Sequence, residues 1–250
     1  MANDMLRTFT GLRFGLMVGI GGGIPNLSKG LDIRLGDVVI SQPDKTYGGV
    51  VQYDLRKNLG EGQFELKGLL KPHPTMLLTG LATLRANQNL DDSDVPRILV
   101  DMMQKYPNLV ETGYGFPGRE KDTLKCAQCG GSGFGRPVRV AAVPTGRSGD
   151  QLVRMTNPYS GNELMKNAGE RDRIGEEFGA LCVEMEAAGL MHDFPCLVIR
   201  GICDYADTHK NDGWQKYAAL TAAAYAKEFL GYISSEQTKL EKRIQEVVDK

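Results

Sequence analysis

The sequence predicts an α/β fold in three layers, a mostly parallel central sheet with helices on both faces. Three observations predict it. Short β-branched apolar runs alternate with stretches of helical period along most of the chain. Two of those runs meet carboxylates, at Val183, Glu184, Met185, Glu186 and at Arg200, Gly201, Ile202, Cys203, Asp204. A third run ends on Gly19, Gly21, Gly22 and Gly23. Ligands of open α/β sheets sit beyond strand ends. Glu186 and Asp204, read as the ends of two adjacent buried strands, are therefore expected to face one crevice with the Gly21 turn as its floor.

The elements follow in order. Arg13 to Ile20 is an apolar run that predicts a strand, and Gly36 to Ser41 predicts a second. Residues 25–30 form a loop between them, and Gly48 to Tyr53 suits an extended segment. Met76, Leu77, Leu81 and Leu84 recur at helical spacing over Thr75 to Asn87, as do Ile98, Leu99 and Met102 over Val95 to Lys105. Tyr106 to Arg147 has no sustained period but many Gly and Pro residues, which predicts a long ordered excursion carrying short strands.

Beyond it the order is loop (157–162), helix (163–178), strand (181–184), helix (187–192) and strand (196–202). A long helix over Trp214 to Tyr232 then sets Trp214, Tyr217, Ala218, Thr221, Ala224, Tyr225 and Phe229 on or near one face. Such alternation makes a mostly parallel sheet covered on both faces. Residues 1–233 read as one domain and 234–250 as a charged C-terminal helix or tail. Leu240, Ile244, Val247 and Val248 give that tail a narrow apolar stripe, which either docks on a partner or frays with the chain end.

Composition excludes several classes. With 250 residues, 41% of them hydrophobic, the chain can bury a substantial core. A net charge of −1 without clustered lysine and arginine argues against nucleic acid as partner. No apolar run reaches the roughly 20 residues that cross a bilayer, which argues against a membrane span. Met1 to Phe9 lacks the basic region and apolar core of a signal peptide, so the chain reads as cytoplasmic.

Five cysteines are then expected to be reduced, with Cys182, Cys196 and Cys203 packed as small hydrophobes. Cys126 and Cys129 form a CxxC that is either a surface loop or half of a zinc site, but no second pair has ligand spacing. No cofactor and no metal are expected.

The run Gly15 to Gly23, the loop Ser160, Gly161, Asn162, the run Val183 to Ala188 and the segment Arg200 to Asp207 together resemble the purine and uridine phosphorylase superfamily. They are most similar to the fungal nucleoside phosphorylase-like domain, a first module of larger signalling proteins. The resemblance implies cleavage of the N-glycosidic bond of a purine nucleoside or related compound. It also implies a homo-oligomer, a small-molecule nucleoside as partner and, for a phosphorylase, inorganic phosphate.

By the same resemblance Glu186 binds the ribose hydroxyls, Met185 packs on the sugar and Asp204 donates a proton toward the purine N7. Glu184, Gly19, Ile20, Gly21 and Gly22 are further substrate-binding positions that the resemblance implies. Asn162, Leu164 and Met165 belong to the loop over the base, with an aliphatic where the family often has a stacking aromatic. For its task Asp204 should be largely shielded from water.

Each motif also has a plainer use. Asp204 can cap a turn, and Glu186 can sit in a helix's first turn. Asn162 can start a helix with Leu164 packed inward. The glycines can make a tight turn or cradle an anion on backbone N–H groups.

Two departures matter. Met17 and Ile20 stand where family phosphorylases present an arginine and a serine to phosphate, which makes water an equal candidate nucleophile. Only Met1 to Leu12 precede the glycine strand, where the family has roughly 70 residues, the size of one or two βαβ units. The chain is then a shortened form, an incomplete sequence or a subunit whose remaining sheet comes from another chain, with an open sheet edge. Beside the enzyme stand two other readings: a nucleoside-binding module without catalysis, and a family member turned to other small-molecule chemistry.

Overall fold

The computed structural model describes residues 2–44, 47–52, 56–60, 63–66, 70–125, 133–135, 153–156, 158–161, 165–191, 194, 196–208, 212–244 and 246. The first half carries α1 (Ala2–Thr8), β1 (Gly15–Gly23), β2 (Val38–Ser41), β3 (Val51–Gln52), β4 (Arg56–Gly60), β5 (Gln63–Leu66), α2 (Thr75–Gln88) and α3 (Val95–Lys105). The second carries β6 (Thr123–Lys125), β7 (Gly133–Gly135), β8 (Val153–Thr156), β9 (Tyr159–Ser160), α4 (Ala168–Phe178), β10 (Cys182–Glu184), α5 (Ala187–Met191), β11 (Cys196–Asp204), α6 (Gln215–Leu230) and α7 (Ser235–Leu240).

Seven strands form the central sheet in the order β3-β9-β10-β1-β11-β2-β8. Four neighbouring pairs run parallel; β1 with β10 and β2 with β11 run antiparallel. On one face Val38, Ile40, Leu197 and Ile199 pack against α2, α3 and α6 through Leu77, Leu81, Leu84, Ile98, Tyr225 and Phe229. On the other, Cys196 and Val198 meet Leu6 of α1, Ala187, Ala188 and Met191 of α5, and Ile244. This is the three-layer α/β architecture read from the sequence. Burying each large aliphatic contributes about 1.5–3 kcal/mol, and both faces of β11 are covered, which is why it reads as a continuous apolar run.

The spacing of α2 and α3 gives their bounds to within a residue. The excursion does carry short strands, β6 and β7, an antiparallel pair. Cys126, Cys129, His192, His209, Tyr53, Asn162 and Leu164 lie outside the described residues. Among the described residues no helix is long and apolar enough to cross a membrane.

Four expectations are corrected. β10 and β11 are not adjacent, because β1 lies between them. The glycine run is not a turn: β1 continues through Gly23, paired with β11 as far as Gly22 and with β10 at Gly22 and Gly23. The helix expected from Glu163 begins at Ala168, because Asn167 accepts hydrogen bonds from the N–H groups of Gly169 and Glu170 and so caps it. Val247 and Val248 of the C-terminal stripe lie outside the described residues, and its other two members, Leu240 and Ile244, do not share a helical face. α7 ends at Leu240, which is 86% exposed, while Ile244 is buried and its N–H bonds the Leu12 carbonyl.

From Gly15 to Gly21 the β10 side of β1 has no strand partner among the described residues, and Val18 is exposed there.

A Cβ on Gly201 would overlap the backbone oxygen of Ala218 in α6. Gly201→Ala should therefore push α6 off the sheet and destabilise the fold by on the order of 1–3 kcal/mol or more, read by urea unfolding.

His73 is buried, its Nδ1 bonds the Cys196 carbonyl at 2.7 Å, and its Nε2 has no partner among the described residues. Burial holds its pKa below the ordinary imidazole value. The unfolded chain therefore takes up a proton first as pH falls through about 6.5, and stability complete above that pH drops below it, by at most about 1.4 kcal/mol per unit. Unfolding curves at pH 7.5 and 5.5 should show this loss in the natural chain and a smaller one in His73→Gln.

Candidate active site

Arg200 is a charged residue in the middle of an apolar strand, and it is buried. It opposes Gly19 in the β1–β11 ladder, and a side chain at position 19 would overlap its guanidinium. Gly19 is thus glycine because Arg200 lies flat across the strand there. Arg200 Nη2 donates to Glu184 Oε2 at 2.5 Å and to Glu186 Oε2 at 2.9 Å. The Glu184 side chain is fully buried and also accepts from the N–H groups of Glu186 and Ala187, at 3.2 and 3.0 Å.

An ion pair buried this way is sustainable only when further hydrogen bonds occupy the carboxylate, as they do here. Glu184 is therefore spent internally, capping the start of α5 and anchoring Arg200. Glu184, expected among the substrate contacts, here fixes the bend that presents Met185 and Glu186. Ser160 adds to that bend by accepting from the Ala188 N–H at 2.8 Å.

Asp204 reaches its position through a bulge. Gly21 pairs with Ile202 but Gly22 pairs with Asp204, so Cys203 is the extra residue. The Asp204 carboxylate then lies against Gly22, where an added Cβ would come within 2.8 Å of Oδ1. Asp204 Oδ1 accepts from the Ala206 N–H at 2.8 Å, and Oδ2 lies 3.4 Å from the Cys203 thiol. The turn-capping use of Asp204 is realised, and the residue is partly buried.

Strand alternation separates the two clusters. The absent side chains of Gly19 and Gly21 point to the rear, toward Arg200 and Cys182. Ile20 and Gly22 point to the front with Asp204 and Val183. Met165 packs against the cluster that holds Val183, Ala206 and Ile24 and so joins the front. Met185 follows β10 and is 40% exposed, and the Glu186 side chain is 60% exposed at the rim.

The two acids do not meet. Glu186 reaches Arg200 at the level of Gly19, and Asp204 stands at Gly22, about 10 Å further along β1 at 3.3 Å per residue.

The sequence reading missed Arg200 as a site residue, and the bulge. The first had a signal, since a lone arginine in a buried run needs a counter-ion and two glutamates two residues apart could supply it. The bulge had none. Burial pushes the Cys182 thiol well up and the Cys196 thiol to about 12, so neither supplies a thiolate.

Arg200→Met should leave Glu184 buried without its cation and cost about 3–5 kcal/mol in chemical unfolding. Adding Glu184→Gln should recover part of that loss, a coupling read from the double-mutant cycle.

No family model matches the chain. It is 45% identical over 238 residues to a nucleotide-binding leucine-rich repeat (NLR)-like protein of Hyaloscypha variabilis, covering 94% of this chain and 23% of that protein. The chain thus spans about a quarter of that relative's length. Among solved structures it is similar to the futalosine hydrolase of Helicobacter pylori, at 14% identity and a TM-score of 0.52 over 92% of this chain and 72% of that one. The 5'-methylthioadenosine/S-adenosylhomocysteine nucleosidase of the same organism matches with the same four values. Its complex with butyl-thio-DADMe-Immucillin-A gives a TM-score of 0.51 at the same identity and coverage. The chain has the fold of these nucleosidases.

Proposed function

We propose that this chain cleaves the N-glycosidic bond of a purine nucleoside or a related thionucleoside, with water as the acceptor. The observation that carries the reading is the Asp204 carboxylate, which the bulge of β11 sets on the front at Gly22, at the strand end where ligands of α/β sheets sit. Glu186 stands exposed at the rim beyond β10, and the fold shared with nucleosidases supports the same chemistry.

In that reaction the C1'–N9 bond breaks and its electron pair goes to the base. Protonated Asp204 delivers its proton to N7, which makes the base a neutral leaving group. Positive charge left on the sugar is met by Glu186 at the hydroxyls, and water adds at C1' with loss of a proton. The Ala206 N–H holds Asp204 Oδ1, and Oδ2, which faces only the weak thiol donor of Cys203, is the oxygen that meets the base. Water is preferred to phosphate because Met17 and Ile20 bring no anion ligand to β1. The reading includes a cytoplasmic enzyme, in keeping with free thiols at Cys182, Cys196 and Cys203, and assembly with further copies, in keeping with the open edge of β1.

Purified protein should release free base from a purine nucleoside or thionucleoside without phosphate, followed by chromatography. Asp204→Asn should slow release about 100- to 10,000-fold. No release from nucleosides, nucleotides or thionucleosides, with and without phosphate, would overturn the enzyme reading. Nucleoside binding without product would select the alternative, a sensing module of a larger signalling assembly, which the NLR-like relative favours.

A further inference from the structure

The segment that carries Asp204 out of the sheet is held from behind by a residue outside the strands. After β11 the chain passes through Tyr205, Ala206 and Asp207, and Ala206 is the one non-glycine residue with positive φ among the described residues, at +50°. That left-handed conformation is disfavoured for a residue with a Cβ, so it persists only where neighbours impose it. It is also what turns the Ala206 N–H back onto Asp204 Oδ1.

The imposing group is Arg171 of α4. Its side chain is 2% exposed, Nη1 donates to the Tyr205 carbonyl at 3.0 Å, and the same nitrogen lies 4.0 Å from Asp207 Oδ2. One guanidinium therefore grips the chain on both sides of Ala206. Nε and Nη2 hold Asp172 at 2.8 and 2.7 Å, which fixes the plane of the fork. The Tyr205 hydroxyl bonds Asp122, which ties the turn to the segment before β6.

We propose that Arg171 is a positioning residue for the acid: it locks residues 205–207 in the turn that orients the Asp204 carboxyl over Gly22. This rests on the assignment of Asp204 as the proton donor. A neutral side chain brings no charge to Asp207, and a lysine's single nitrogen could not also hold Asp172 as Nε and Nη2 do here, the contact that fixes the fork's plane.

Two measurements test it. In Arg171→Met, kcat for base release should fall roughly 10- to 100-fold, the scale of a small misplacement of a catalytic group, with KM changed less than about threefold. Asp207→Asn, which removes one arm of the grip and disturbs the core less, should lower kcat in the same direction by a smaller factor. Hydrogen exchange read by mass spectrometry should become faster at residues 204–207 in Arg171→Met while α6 stays protected.

Unchanged exchange at 204–207 in a folded Arg171→Met overturns the proposal, as does a kcat equal to that of the natural chain. Should Arg171→Met fail to fold, Asp207→Asn decides on both measurements. Should the natural chain release no base, the assignment of function falls, and the exchange data still decide whether Arg171 holds the turn.

Discussion

The centre of this molecule depends on one buried guanidinium laid across a glycine. Arg200 is tolerated inside the sheet only because Glu184 neutralises it and because Gly19 leaves room for it. That contact sits where β10, β1 and β11 come together, so it fixes the lateral order of the three strands. The same carboxylate that neutralises Arg200 takes the first N–H groups of α5, and electrostatics and helix capping thereby converge on one side chain.

Around that anchor the two faces of β1 do different work. The rear is closed and charged within itself, with every oxygen of Glu184 engaged. The front is built from small or apolar groups, Ile20, Gly22, Val183, Met165 and Ala206, with Asp204 entering through the bulge at Cys203. The glycines of β1 are a packing requirement on both faces: the space of each missing side chain is filled, by Phe194 at Gly15 and by Arg200, Cys182, Asp204 and Ile202 from Gly19 to Gly23.

The acid and the rim carboxylate reach their places by separate routes. Glu186 is set by the bend after β10, which Glu184 caps locally and which Ser160 and Arg200 hold from neighbouring strands. Asp204 is set by a register shift and by a turn that contacts α4 and the segment before β6. The second route runs through residues far apart in the chain.

Sequence alone determined the layers, the helices α2 and α3, the strands β10 and β11, and the pair of carboxylates worth watching. These depend on periodicity and on short apolar runs, which are local properties of the chain. It did not determine that β1 lies between β10 and β11, that Glu184 is consumed by Arg200, that Asn167 rather than Asn162 caps α4, or that Ile244 tucks beside Leu12. Those outcomes were decided by the tertiary structure. Strand order, counter-ion choice and the burial of one isoleucine each compare the free energies of contacts between distant segments, and no window of neighbouring residues contains that comparison.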